Sequence, residues 1–322
     1  MNLHKLICNI LLVSILFEIS CGIRIEMRDN PQPLARKPVI DDTWWQICEM
    51  PDLKELNGDD PDKQHIVDHG FIQAANNKWQ LWACIRGTAI GRLLYRWEGD
   101  NLEEGSWEPK GIAARADSSF GEKIYPQESI QAPYFLKLDD GYYCFYNSNG
   151  ARLMKSENGT NFERFRIKDN NNLLYQESGR DVMVMKEEDL FYSYSTVSTV
   201  ARDGWRYGFI ILRTSEDLKK WSDYTIVCSG GMAGNGPVSA ESPFVIKLDG
   251  YYYLFRASSI SGKTYVYRSD TPYQFCVNDD SKLIEILSIK APEIIKVEKS
   301  YYISDLADFK GIKLARLHWA LD

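Results

Sequence analysis

The sequence predicts an all-β protein, a five-bladed β-propeller, from two repeats and a composition. The first repeat is hairpin-like: ESPFVIKLDGYYYLF from Glu241 has counterparts in QAPYFLKLDDGYYCFY from Gln131, RDVMVMKEEDLFYSY from Arg180, KAPEIIKVEKSYYIS from Lys290 and, more weakly, VDHGFIQAANNKWQLW from Val67. Each reads as a short strand, a polar turn and an aromatic-rich second strand. The anchor positions Asp68, Ala132, Asp181, Ser242 and Ala291 are spaced by 64, 49, 61 and 49 residues, about the length of a four-stranded blade with its loops. A second repeat follows the first in three units, KSENGTNF from Lys155, TSEDLKKW from Thr214 and RSDTPYQF from Arg268, where a Ser precedes Phe162, Trp221 or Phe275 by six residues. That is a repeated turn onto an outer strand. The composition agrees, since 13% aromatic residues, led by 19 Tyr and 9 Trp, favour strands.

From the N-terminus, Lys5 precedes an apolar run over residues 6–17 and a small-residue stop, so residues 1–21 read as an export signal too short to span a membrane comfortably. Cys21 resembles the acylated cysteine of bacterial lipoproteins, with Glu18 where a leucine is usual. The expected destinations are therefore the periplasm or outer membrane as a lipoprotein attached through Cys21, or secretion. Residues 22–40, with Pro31, Pro33 and Pro38 among charges, read as a tether. Residues 41–322 contain no further linker and read as one propeller, expected to be a monomer, with the segment 43–56 or the tail to Trp319 closing the last blade.

Within the blades, residues 251–255 are apolar on both faces, as a middle strand sandwiched between neighbouring blades must be. Pro133, Pro243 and Pro292 stand at strand starts, where a missing N–H is tolerated. Cys48, Cys84, Cys144, Cys228 and Cys276 form no CxxC pair and have no His at zinc spacing, so no metal centre is expected from them. Cys84 and Cys144 lie inside strand-like runs and are expected to be buried, inert thiols. A net charge of −7 without a strongly basic run argues against a nucleic-acid partner.

Innermost strands crowd around a propeller's axis, so their first residues converge on one end of the central channel. Asp68, Asp181 and Glu241 occupy such places. Three converging carboxylates repel one another and resist burial, which marks them as catalytic candidates. The second strands return to the same face, and their ends carry Arg86, Asn147 and Arg256 as substrate-binding candidates. Arg180, beside Asp181, is expected to keep that carboxyl ionised. Glu128, just before the second-blade anchor, is a further binding candidate and an alternative second carboxylate. Trp44, Trp45 and Trp205 are read either as a sugar-stacking platform or as core packing.

With these residues in place, the chain resembles, over roughly residues 64–305, the five-bladed propeller glycoside hydrolases around families 43, 32, 62 and 117. Carried over by position, the resemblance implies that Asp68 is the base, Asp181 the residue that orients and tunes the acid, and Glu241, in Glu241-Ser242-Pro243, the acid. Arg180-Asp181 is also similar to the Arg-Asp-Pro motif of family 32. The prolines expected after the two Asp residues are replaced by His69 and Val182. The implied function is an exported, exo-acting glycoside hydrolase on plant or algal oligosaccharides, working by acid and base carboxylates without an organic cofactor. The family likeness also implies an axial calcium or sodium ion, near which His318 would stand. Two alternatives share the fold: a glycoside phosphorylase, with Arg86, Arg180 and Arg256 as a phosphate cradle, and a non-catalytic carbohydrate-binding propeller.

Overall fold

The computed structural model describes residues 34–322, apart from residues 104, 106, 168–170, 176–178 and 203. The export signal, Cys21 and most of the tether lie outside the described residues. Five sheets, antiparallel but for one short outer strand of the third, make the five blades that the repeats predict. The innermost strands are His65–Gln73, Gln131–Leu138, Arg180–Glu187, Glu241–Leu248 and Ile294–Val297. Apart from strands, regular structure among the described residues amounts to four single-turn 3₁₀ segments.

The anchor of each repeat is a backbone feature as well as a sequence position. Asp68, Ala132, Asp181, Ser242 and Ala291 have φ of 29°, 52°, 56°, 44° and 47°, all in the left-handed region that non-glycine residues seldom adopt. In the first four blades the cross-strand register slips there: Val67 faces Cys84 but His69 faces Ala83, and Glu241 faces Ala257 but Phe244 faces Phe255. One residue on the inner strand is therefore extra, a β-bulge of the kind that re-aims side chains beside functional sites. Pro133 and Pro243 follow the bulged residues, where the ladder is already interrupted and a missing N–H leaves nothing unpaired.

The hairpins close as the sequence predicts. Leu248 pairs with Tyr251 across Asp249 and Gly250, whose φ values of 49° and 87° fit a two-residue turn with both central residues left-handed. The following strand, Tyr251–Ser258, is buried on both faces, with Tyr253, Leu254 and Phe255 fully covered. Burial of each such side chain stabilises the fold by roughly 1.5–3 kcal/mol. Where the first two blades meet, a Cβ on Gly70 would lie 2.4 Å from the Pro133 carbonyl oxygen, so only glycine admits that approach. The Ser of the second repeat ends the third strands Ala151–Ser156, Arg206–Ser215 and Lys263–Ser269; Ser156 Oγ, for example, accepts from the Gly159 N–H at 2.9 Å and holds the turn.

The ring is closed by both ends of the chain. Arg36–Glu49 lies at the outer edge of the last blade and pairs with Gly311–Leu321, from Arg36 opposite Leu321 to Glu49 opposite Gly311. Residues 36–40, expected in the tether, are thus part of the propeller, and Pro38 is accommodated because an edge strand tolerates a missing N–H. Cys84 and Cys144 are buried free thiols, and so is Cys48. Cys228 and Cys276 form a disulfide between two short parallel strands, which attaches a loop of the fourth blade to the outer edge of the third. Neither partner lies in a recognisable spacing, and only the fold brings them together.

Candidate active site

The bulges at the inner-strand starts open into a cavity of about 1090 Å³, and Asp68, Asp181 and Glu241 all line it. Blades one, three and four each contribute one carboxylate. Arg180 joins two of them: its Nη2 donates to Glu241 Oε1 at 2.8 Å, and its Nε lies 3.8 Å from Asp181 Oδ2. The guanidinium is itself held, donating to Ser198 Oγ at 2.9 Å and to the Pro237 carbonyl at 3.0 Å. Ser259 donates its hydroxyl to the other Glu241 oxygen. Asp181 Oδ2 accepts from the Ser242 backbone N–H at 3.2 Å, so the carboxylate of the third blade fixes the backbone next to Glu241.

The electrostatics follow from crowding. Burial, with the charges of Asp181 and Glu241, pushes the Asp68 carboxyl up to about 7. Burial also raises Asp181 and outweighs the lowering by the nearby Arg180 charge, so its net shift is upward where the cation alone was expected to lower it. The cation's shortest contact is with Glu241 instead.

Of the binding candidates, Arg86, Glu128 and Arg180 line the cavity. Arg86 bonds through Nη2 to His65 Nδ1 at 3.0 Å, and Glu128 accepts from Arg115 Nε at 3.1 Å. Asn147 and Arg256 are outside it. Asn147 donates to the Gly179 carbonyl at 2.7 Å, across the gap to the third blade. Arg256 is fully buried and donates to the carbonyls of Ser239 and Gly230 at 2.9 and 3.0 Å and to that of Gly234, stitching the loop that carries Pro237. Arg256, fully enclosed, cannot touch a ligand in the cavity, and a phosphate cradle loses that member. Trp44 packs against Lys313 and Trp45 donates to the Leu102 carbonyl, while Trp205 is exposed; none of the three lines the cavity.

The axis beneath the carboxylates holds residues that the sequence did not single out. Two positions past the anchors stand Tyr134, Met183, Phe244 and Glu293. Glu293 is the exception in that apolar column, which is the signal that could have found it. Its carboxyl is pushed well up by burial and the Asp68 charge, and burial lowers His69 to about 3. His69 Nε2 lies 2.7 Å from Ser304 Oγ, and Nδ1 has no partner. With Asp68 and Asp181 they surround a void of about 20 Å³, room for a single water. A calcium or sodium ion takes several oxygen ligands, and the donors lining this void are the carboxyls of Asp68, Asp181 and Glu293 with the unpartnered His69 Nδ1. Among the described residues no group of three or more His, Cys, Asp or Glu is placed to hold a metal, and His318 bonds Asp41 at 2.8 Å on the exposed closing strand, away from the axis. The histidine at the axis is therefore His69, and His318 does not stand there.

No family model and no curated protein matches this chain. Solved structures do match. A thermostable family-43 glycoside hydrolase superposes with a TM-score of 0.59 at 18% identity, covering 82% of this chain and 91% of its own. An exo-1,5-α-L-arabinanase from a bovine ruminal metagenomic library gives 0.56 at 15% identity, with 81% and 98% covered. The catalytic domain of a family-62 α-L-arabinofuranosidase from Coprinopsis cinerea gives 0.55 at 13%, with 85% and 96% covered. The chain therefore has the five-bladed propeller fold of these glycoside hydrolases.

Proposed function

We propose that the protein is a glycoside hydrolase in which Glu241 and Asp68 are the acid and base and Asp181 is the positioning residue between them. The observation that carries this is the convergence of three carboxylates, from three blades, on one cavity, with Arg180 joining Glu241 and Asp181. Glu241 gives its proton to the leaving oxygen as the glycosidic C–O bond breaks. Asp68 takes a proton from the water whose oxygen bonds to the anomeric carbon. Asp181, through the Ser242 N–H, sets the backbone from which Glu241 projects. Action at chain ends is supported by the likeness to the exo-acting arabinanase. Export, as a Cys21-linked lipoprotein or a secreted monomer, is supported by the apolar run over residues 6–17 and by the Cys228–Cys276 disulfide, since such bonds persist in oxidising compartments.

The test is product analysis of the purified protein on pectic, arabinan and algal oligosaccharides, with and without phosphate. Reducing sugar formed without phosphate, lowered about 10²–10⁴-fold by Glu241→Gln in a folded variant, is the expected result. Sugar phosphate as the main product would make the protein a phosphorylase. Binding without turnover across the panel would leave a carbohydrate-binding propeller.

A further inference from the structure

The charge of the cavity wall does not follow the charge of the chain. The protein carries a net −7, yet eight Lys and Arg residues line the cavity against four carboxylates. Two of those carboxyls, Asp68 and Asp181, are driven toward the neutral form by burial, and the other two, Glu128 and Glu241, already bond Arg115 and Arg180. On the cationic side, Lys63 is paired with Asp60 at 3.0 Å and Lys290 with Asp308 at 3.0 Å. Among the described residues, Arg92, Lys123, Arg206 and Lys263 make no ion pair within 4.0 Å, and none of their side-chain nitrogens has a hydrogen-bond partner. Arg92 is half-buried and senses the Asp68 charge, whereas Lys123, Arg206 and Lys263 are exposed, so these three stand at the solvent side of the cavity that Asp68 and Asp181 close from within.

The three exposed cations in one concavity repel one another, and an arrangement of this kind attracts and orients an anion. The apolar complement to a neutral sugar is sparse by contrast. Phe309 is the one aromatic residue lining the cavity among the described residues, although aromatics make up 13% of the chain. A site for neutral sugars gains much of its hold from ring stacking, and here charge takes that place.

We propose that the cavity takes an anionic oligosaccharide, bearing ring carboxylates or sulfate esters, whose charged units are met at the mouth by Lys123, Arg206 and Lys263. The proposal rests on the glycosidase reading for the cleavage step but not for the recognition. Carboxylates and sulfates differ in geometry, not in the sign of charge that these side chains read, and both form charge-assisted hydrogen bonds to Lys and Arg.

Calorimetric binding to the Glu241→Gln protein separates recognition from cleavage, with oligogalacturonides, sulfated galactan oligosaccharides, neutral arabino- and xylo-oligosaccharides, and inorganic phosphate as probes. At low salt the charged sugars are expected to bind at least about tenfold more tightly than the neutral ones, with the difference shrinking as salt approaches roughly 0.15 M. The oligogalacturonide and galactan arms identify which anion is preferred. In the triple variant Lys123→Gln, Arg206→Gln, Lys263→Gln the preference is expected to vanish; in the otherwise wild-type enzyme the same changes raise KM for the charged substrate about tenfold and leave kcat nearly unchanged. Thermal melts of the variant control for folding. Neutral sugars bound as tightly as charged ones, or a triple variant with unchanged affinity, overturns the proposal while leaving the glycosidase reading intact. Phosphate bound alone, with no affinity for either charged sugar, also overturns it. Triple-variant-sensitive binding of charged sugars with no hydrolysis of any probe by the wild type sustains this proposal and sinks the glycosidase reading instead.

Discussion

Arg180 reaches Glu241 Oε1 at 2.8 Å while standing 3.8 Å from the carboxyl of its own sequence neighbour, Asp181. The cation of the third blade thus serves the carboxylate of the fourth, and Asp181 is left to bond the Ser242 N–H. Both contacts cross the boundary between blades, so the site depends on how two repeats pack as much as on their sequences.

The pH dependence of kcat/KM tests the base. With Asp68 raised to about 7 and required in its ionised form, activity is expected to rise with pH through a limb near neutrality. Asp181→Asn removes a like charge that raises Asp68, so this limb should move to lower pH. A limb that stays in place in the Asn variant would detach it from Asp68.

The same burial has a stability consequence. Asp68 binds its proton up to about 7 when folded and only to its ordinary value of 3.8 when unfolded, so between these values the native state holds more protons and stability falls as pH rises. Asp68→Asn, which keeps a side chain tolerant of left-handed φ, should therefore become more stable than the wild type as pH is raised from 4 to 8, by up to ~4 kcal/mol. Urea unfolding of both proteins across that range reads the difference; parallel curves would contradict it. A gain in stability with a loss of rate would mark Asp68 as a residue kept for function.

Arg256 is expected to matter for the fold. Arg256→Met leaves the Ser239, Gly230 and Gly234 carbonyls without their donor, at a cost of roughly 3–5 kcal/mol in unfolding free energy. Because the loop it holds supplies the Pro237 carbonyl to Arg180, activity should fall in step with disorder of that loop, which hydrogen exchange of residues 230–239 would report. Full protection of that segment in the variant would refute the bracing role.

The left-handed anchors make a further test that involves no charge. Ala291 has φ of 47° and is half-buried, so Ala291→Gly relieves backbone strain while removing one methyl group. Stabilisation of about 0.5–1 kcal/mol is expected, measured by chemical denaturation. Destabilisation would show that the methyl's packing outweighs the strain.

The sequence by itself determined the blade count, because a repeated strand, turn and aromatic strand can bury its two faces only between copies of itself. It also determined where the three carboxylates stand, since each occupies or precedes a repeat anchor and all anchors lie at one end of the axis. What the tertiary structure decided was direction. Arg86 lies two residues beyond Cys84, the partner of the residue before the first anchor, and Arg256 lies one residue before Ala257, its counterpart in the fourth blade. An odd difference in register turns a strand residue to the other face, so Arg86 meets the cavity and Arg256 the packed loop, while Ser259 takes Arg86's place beside Glu241. The Cys228–Cys276 bond, Glu293 at the axis and the cations at the mouth likewise depend on loops and neighbouring blades meeting in space. A period read along one chain fixes which residues recur; only the packing of unlike copies fixes what each of them faces.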